Sequence, residues 1–501
     1  MSSYLPIKLP PGISRQGTVY QDKGKWYDGN LIRFFNGAIK PVGGWQRVSS
    51  TPINGMARGI LAWRDLSEAR WAAIGSNTKL YVSSSGSIVD VTPTGFVAGR
   101  QDSVYGLGFG AGMYGKQAFG TARSTTGLVN DAATWSFDTW GQNLVGCSTG
   151  DGTLWQWIPP ASIGSATPAT AITNAPTQCR STFVTEERYQ IAIGANGDPR
   201  AIWWSTQGDN TVWTPAVSNT AGSLNLQTNG IGYTGKRVRG GNLIWTDVDV
   251  HFMNYVGSPY IYGIERIGTG CGLIGPNAAI STDTMAVWMS DRGFWIYDGY
   301  VKPLACPLQD DIYSNMNVLQ GAKVYAGHNG AFGEVWWFYP SAQSVEIDRY
   351  VTWNYRENTW NWGALPRTAW VDKGAWTTPL AVGTDGYLYQ HESGFGDNGT
   401  PRNIYLQSAV IELGNGDKLM QAQKLLSDGG FDHQSFEVFF DVTNTPTATP
   451  VRFGPYVVNN PNGYTDVRFT GRQAQMLIQA IEDTDWRIGD WRLELVEGSR
   501  R

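Results

Sequence analysis

The stretch "AVWMSDRGFWIYDGYVKPLAC", residues 286–306, sets two runs of aromatic and aliphatic residues on either side of a polar Ser-Asp-Arg-Gly turn. A second turn, Asp298-Gly299, follows at once. Aromatic and β-branched residues fit a pleated surface, and Gly and Asp supply turns, so the unit reads as strand, turn, strand. Whether it repeats decides the fold.

Similar signals occur along most of the chain. They are "SNTKLYVSS" at 76–84, "TGDGTLWQW" at 149–157, "DPRAIWWSTQGDNTVW" at 198–213 and "DVDVHFMNYVG" at 247–257. Then come "SDRGFWIYDG" at 290–299, "FGEVWWFYP" at 332–340 and "TDGYLYQHE" at 384–392. With Tyr81, Trp155, Trp204, Phe252, Trp295, Trp336 and Tyr389 as markers, the gaps are 74, 49, 48, 43, 41 and 53 residues. The long first gap holds a Gly-rich insertion. A period of roughly 40–50 residues with several short strands in each is the signature of a β-propeller. One four-stranded blade cannot bury its own faces, and blades packed radially bury both. A large sandwich or a string of unrelated β modules would not keep so even a spacing. The expectation is an all-β chain with a propeller of six or seven blades over 57–396.

Three segments lie outside the period. Residues 1–56 form an N-terminal β-hairpin segment, read as a platform or attachment element, with a two-residue turn at Asn36-Gly37 between apolar runs. Residues 94–130 read "TGFVAGRQDSVYGLGFGAGMYGKQAFGTARSTTGLVN". This insertion alternates Gly with Tyr, Phe and Met, which suits a long loop better than a strand. From 397 to 501, "NIYLQSAVIEL", "SFEVFFDV" and "WRIGDWRLELVEG" alternate at period two, as a separate C-terminal β-sandwich would. "KLMQAQKLL" fits helix or strand.

Composition narrows the function classes. The 501 residues carry 38 basic and 42 acidic side chains, a net charge of -4, not the basic excess of a tight nucleic-acid binder. No run of 18 apolar residues reads as a membrane-spanning helix, and "MSSYLPIKLPPG" does not read as a signal peptide, so folding in a cytosol is expected. Cys147, Cys179, Cys271 and Cys306 show no metal-site spacing and are expected to be buried free thiols. His251, His328, His391 and His433 are far apart and read as structural.

No GxSxG, HExxH, P-loop or dinucleotide fingerprint is present. "STGDGTLW" (Ser148 to Trp155) and "STQGDNTVW" (Ser205 to Trp213) resemble the Asp-box turns of sialidases, which in those folds are blade turns away from the catalytic centre. A glycosidase also needs two placed carboxylates. Asp310-Asp311 and Glu482-Asp483 are acidic pairs that nothing singles out. The chain is therefore expected not to be an enzyme, with no catalytic residue, cofactor or metal. The densest basic cluster inside the period is "GKRVRGGN", whose Lys236, Arg237 and Arg239 are candidates for facing DNA.

The run 236–317, above all 247–306, resembles the tail nozzle proteins of short-tailed bacteriophages, also called tail hub or packaged-DNA stabilisation proteins. "WYDGNLIRFFNGAIKPVGGW", the Gly-aromatic loop and "GRQAQMLIQAIEDTDWRIGDWRLELVEGSRR" share the likeness. The resemblance implies a homohexameric ring at the distal end of a virion tail, assembled in the host cytoplasm. It implies attachment below a tail adaptor ring and docking surfaces for fibre, spike or needle proteins. The ring would retain packaged double-stranded DNA without sequence specificity and open for genome ejection. An acidic lumen would let the duplex slide, where a basic one would grip it. On composition, Arg100, Tyr105, Phe109, Tyr114, Lys116 and Phe119 are channel or gate candidates. A carbohydrate-binding, receptor-recognising tail propeller is the alternative, and solvent-facing tryptophans would distinguish it.

Overall fold

The computed structural model describes residues 2–105, 129–413, 416–430, 436–458 and 463–498. Its centre is a seven-bladed β-propeller. Each blade is a four-stranded antiparallel sheet. Numbered from the inner strand outward, blade 1 runs Ala57–Arg64, Arg70–Ser76, Leu80–Ser84, Ser87–Asp90. Blades 2 to 6 begin on the inner strands Trp135–Trp140, Ser181–Val184, Gly232–Val238, Ala279–Ser281 and Tyr325–Asn329. Blade 7 begins on Arg367–Val371. Its outer strand is Trp45–Arg47, which pairs with Leu388–His391. Every blade contains one of the seven aromatic markers, six of them on a third strand and Trp336 on a second.

The closure at Trp45–Arg47 differs from the expected division of the chain. Residues before 57 do not form a unit of their own. A ring of blades held only by neighbour contacts can open between its first and last members. Borrowing the last strand of blade 7 from the start of the chain stitches that seam with backbone hydrogen bonds and removes a free edge. Trp45 is fixed there by its indole N–H, which donates to the Asp397 carboxylate.

The other N-terminal strands join the C-terminal part. Ser2–Ile7 pairs with Trp491–Glu497 in a four-stranded sheet. Trp26–Asn30 pairs with Tyr405–Ser408 in a second sheet that continues through Gln473–Ala480, Phe436–Thr443 and Val451–Val458. Met420–Leu426, inside the stretch that fitted helix or strand, is a strand of the first sheet. Phe436–Thr443 alternates buried and half-buried positions along its whole length, the period-two pattern of a sheet with one face on the core. Between hairpin strands Ile32–Phe35 and Ala38–Pro41, Asn36 (φ 52°) and Gly37 (φ 73°) are both left-handed. A two-residue turn that matches strand twist requires this.

In the opening stretch, Ser290 Oγ accepts the Arg292 backbone N–H at 3.2 Å and the Trp295 indole N–H at 3.3 Å. The turn thus orders itself and anchors the aromatic on the next strand. Asp151 does the same for Trp155 at 2.8 Å. The Asp-box-like turns are blade turns.

Strand glycines seat aromatics between blades. A Cβ on Gly75 of blade 1 would lie 2.3 Å from Trp135 Cγ of blade 2, and one on Gly327 of blade 6 would lie 2.5 Å from Trp370 Cδ1 of blade 7. Both indoles then donate across the seam, Trp135 to Ser76 O at 2.7 Å and Trp370 to His328 O at 2.9 Å.

Candidate functional site

The inner strands of all seven blades enclose a cavity of about 780 Å³ on the propeller axis. Its walls mix polar and apolar surface, the apolar part coming from residues such as Leu61, Phe137, Phe183, Ile280 and Val371. Toward the C-terminal ends of the inner strands the lining becomes charged: Asp138, Lys236, Arg237, Arg239, Asp283, His328, Asp372 and Lys373. Strand alternation produces this arrangement, since every second residue of an inner strand faces the axis.

Asp138 organises one side of the mouth. It accepts the backbone N–H of Val184 and of Thr139, each at 2.8 Å, and the Arg237 guanidinium at 3.1 Å. The pair spans from blade 2 to blade 4 across the inner strand of blade 3. Burial pushes the Asp138 carboxyl above the usual carboxylate range, against the pull of Arg237. Burial likewise pulls the Lys236 ammonium below the usual lysine range, and Asp138 partly opposes this. On the other side His328 Nδ1 lies 2.8 Å from Asp372, and its ring stacks on Tyr355.

The opposite end of the axis is closed. Arg58, 1% exposed, makes a bidentate pair with Glu346 at 3.0 and 2.6 Å and donates to Gln101 O at 3.2 Å. Lys323, also 1% exposed, reaches Asp102 Oδ1 and Val345 O, both at 2.6 Å. The Gln320 amide and the Ser103 backbone exchange two hydrogen bonds, at 3.0 and 2.8 Å. Residues from blade 1, the insertion and blade 6 therefore meet at this end. Among the described residues these contacts bridge that end of the axis, so the axial cavity is a funnel with its mouth at the other end.

The candidates named from sequence fall in different places. Arg100 is exposed at the closed end, where its carbonyl accepts the Ala133 N–H at 2.8 Å. Tyr105, 64% exposed, lies on a two-residue strand paired with Val129–Asn130 at the base of the insertion. Phe109, Tyr114, Lys116 and Phe119 lie outside the described residues, as does His433. Lys236 and Arg237 sit on the inner strand of blade 4 and line the funnel with Arg239; Lys236 is half-buried, and Arg237 and Arg239 are exposed.

Sequence reasoning missed Asp138, Asp372 and the buried ions Arg58 and Lys323. A signal existed for two of them. "ARGILAWR" and "WSFDTW" each place one charge inside an apolar or aromatic run, and such a charge has to find a partner across the fold. His391, buried against Arg367 at 2.9 Å, is structural, as expected of it. The four cysteines are buried and unpaired. Asp311 and Asp483, from the two acidic pairs, lie beside Arg15 and Arg402. Among the described residues no helix is long and apolar enough to cross a membrane.

No protein-family model matches the chain, and no curated protein is similar to it in sequence. Among solved structures it is similar to the "AfRom2 CNH domain" at 12% identity and a TM-score of 0.31, covering 54% of this chain and 87% of that one. It is also similar to PorZ, described as an essential bacterial surface component of the type-IX secretion system of Porphyromonas gingivalis, at 9% identity and a TM-score of 0.37. That match covers 76% of this chain and 44% of PorZ. Similarity at this level says nothing about what the chain does.

Proposed function

We propose that this chain is a structural ring component of a short phage tail. Copies surround a shared channel that continues the portal–adaptor conduit, retain packaged DNA and open for ejection. Outer surfaces serve to dock fibres, spikes or a needle. The reading starts from the resemblance of the turn and aromatic pattern to tail nozzle proteins, which also supplies the expectation of six copies.

The observation that favours it over a sugar-binding propeller is the placement of tryptophan. None of the 23 tryptophans is exposed, and 18 are buried. They serve as wedges and hydrogen-bond donors between and within blades, not as platforms for sugar rings. The blind axis adds a constraint. A polymer cannot thread a single propeller, so a conduit has to lie between copies.

The test is the mass and symmetry of the purified chain, alone and with its adaptor ring, by native mass measurement and negative-stain imaging. A six-fold ring with a central opening is expected. A monomer that forms no ring even with the adaptor present would overturn the reading.

A further inference from the structure

The axial funnel has a feature that the ring role does not use. Lys236 lines it, yet its ammonium has no hydrogen-bond acceptor and no carboxylate within 4.0 Å among the described residues. The nearest candidate, Asp138, is already engaged by Arg237 and two backbone N–H groups. Lys236 is half-buried, and an anion in the cavity would give its ammonium the charged partner it lacks. The sign of the lining agrees. Lys236, Arg237, Arg239 and Lys373 outnumber Asp138, Asp283 and Asp372 by four to three.

Size and wall chemistry restrict the anion further. A cavity of about 780 Å³ is within the size range of small-molecule sites. Below the charged mouth the walls are Phe137, Phe183, Leu61 and Ile280. Inorganic ions would leave these surfaces wet and unused.

We infer that the funnel binds one small apolar carboxylate, its anionic group on Lys236 and its body between Phe137 and Phe183. The site is complete within one chain. It goes beyond the ring role and stands or falls separately from it.

Isothermal titration of the full chain with 2-naphthoate tests the inference, with acetate and the neutral 2-naphthalenemethanol as comparators. One naphthoate per chain is expected. Both comparators should bind at least tenfold more weakly, since one lacks the body and the other the charge. Lys236→Met, checked by circular dichroism and melting temperature, should weaken naphthoate at least tenfold. Ala62→Trp, which fills the funnel without changing charge, should abolish binding. No naphthoate binding at millimolar concentration would overturn the inference, as would equal affinity in Lys236→Met and the native chain. Should Lys236→Met not fold, the native chain decides alone: naphthoate and the neutral alcohol binding equally would also overturn it.

Discussion

The two ends of the propeller axis use charge in opposite ways. At the closed end, Arg58 and Lys323 are fully buried and each meets carboxylates and carbonyls at hydrogen-bond distance. At the open end, the Arg237 side chain is half-exposed and holds Asp138 at 3.1 Å, while Lys236 beside it has no partner that close. Matched buried ions fix a unique arrangement and penalise any other. Partly hydrated, partly unpaired ions leave an arrangement that a ligand can complete. The same inner strands run through both ends, so the difference comes from what lies beyond them. Residues 101–103 at the start of the insertion bond to blades 1 and 6 at one end, and nothing described caps the other.

The contrast is sharpest in stability. Arg58→Met should cost about 3–5 kcal/mol, because Glu346 is left inside without its bidentate partner. Urea denaturation of the full chain measures it. A cost below 1 kcal/mol would mean that the closed end is not held by its ions.

How much of this was legible in the sequence follows from what each residue pattern encodes. The blade period was legible, because one strand-turn-aromatic unit recurs and each marker falls in its own blade. Period-two alternation in "SFEVFFDV" announced a strand with one buried face, and Asn36-Gly37 announced the turn of the N-terminal hairpin. The blade-7 seam was not legible, because "WQR" carries no sign that it will pair with residues some 340 positions later. The glycines also misled. Their number suggested turns alone, yet Gly75 and Gly327 lie within strands and leave room for an indole from the next blade. Nor was the site legible as a site. Its charges come from five blades, and no local spacing connects Asp138 with Arg237 or His328 with Asp372.

A third ion cluster, away from the axis, serves as a reference for the first. Arg33 is shared by Glu334 at 3.0 Å and Glu392 at 2.6 Å. Burial, only partly offset by Arg33, raises the Glu334 carboxyl to about 7. A carboxyl raised in the folded state stabilises most below its unfolded value, and that stability is lost as pH rises toward 7. Unfolding free energy should therefore fall by on the order of 3 kcal/mol from this group between about pH 4.5 and 7. Glu334→Gln should flatten that slope. An unchanged slope in the variant would remove Glu334 as its source.

Packing at the blade 1–2 seam predicts a smaller loss. Gly75→Ala should cost about 1–3 kcal/mol, since Trp135 has to give way and its indole bond to Ser76 O is strained. Thermal melts read it, and an unchanged midpoint would argue that the seam is loose. The smallest effect belongs to the open end. Arg237→Met should change stability by no more than about 1 kcal/mol, since its guanidinium is half-exposed and Asp138 keeps its two backbone N–H donors. A loss as large as that of Arg58→Met would erase the contrast between the ends.

Hydrogen–deuterium exchange on the full chain tests the blind axis most directly. At the closed end the amides of Gly99, Ser103, Ala132 and Ala133 donate to Asn77 O, Gln320 Oε1, Ser103 Oγ and Arg100 O at 2.7–3.0 Å. They should exchange only with global unfolding, while the amide of Lys373 at the mouth, exposed and bonded only to the neighbouring Asp372 carboxylate, exchanges far sooner. Exchange of Ser103 and Ala132 as fast as Lys373 would contradict the account, because the axis would then be open at both ends.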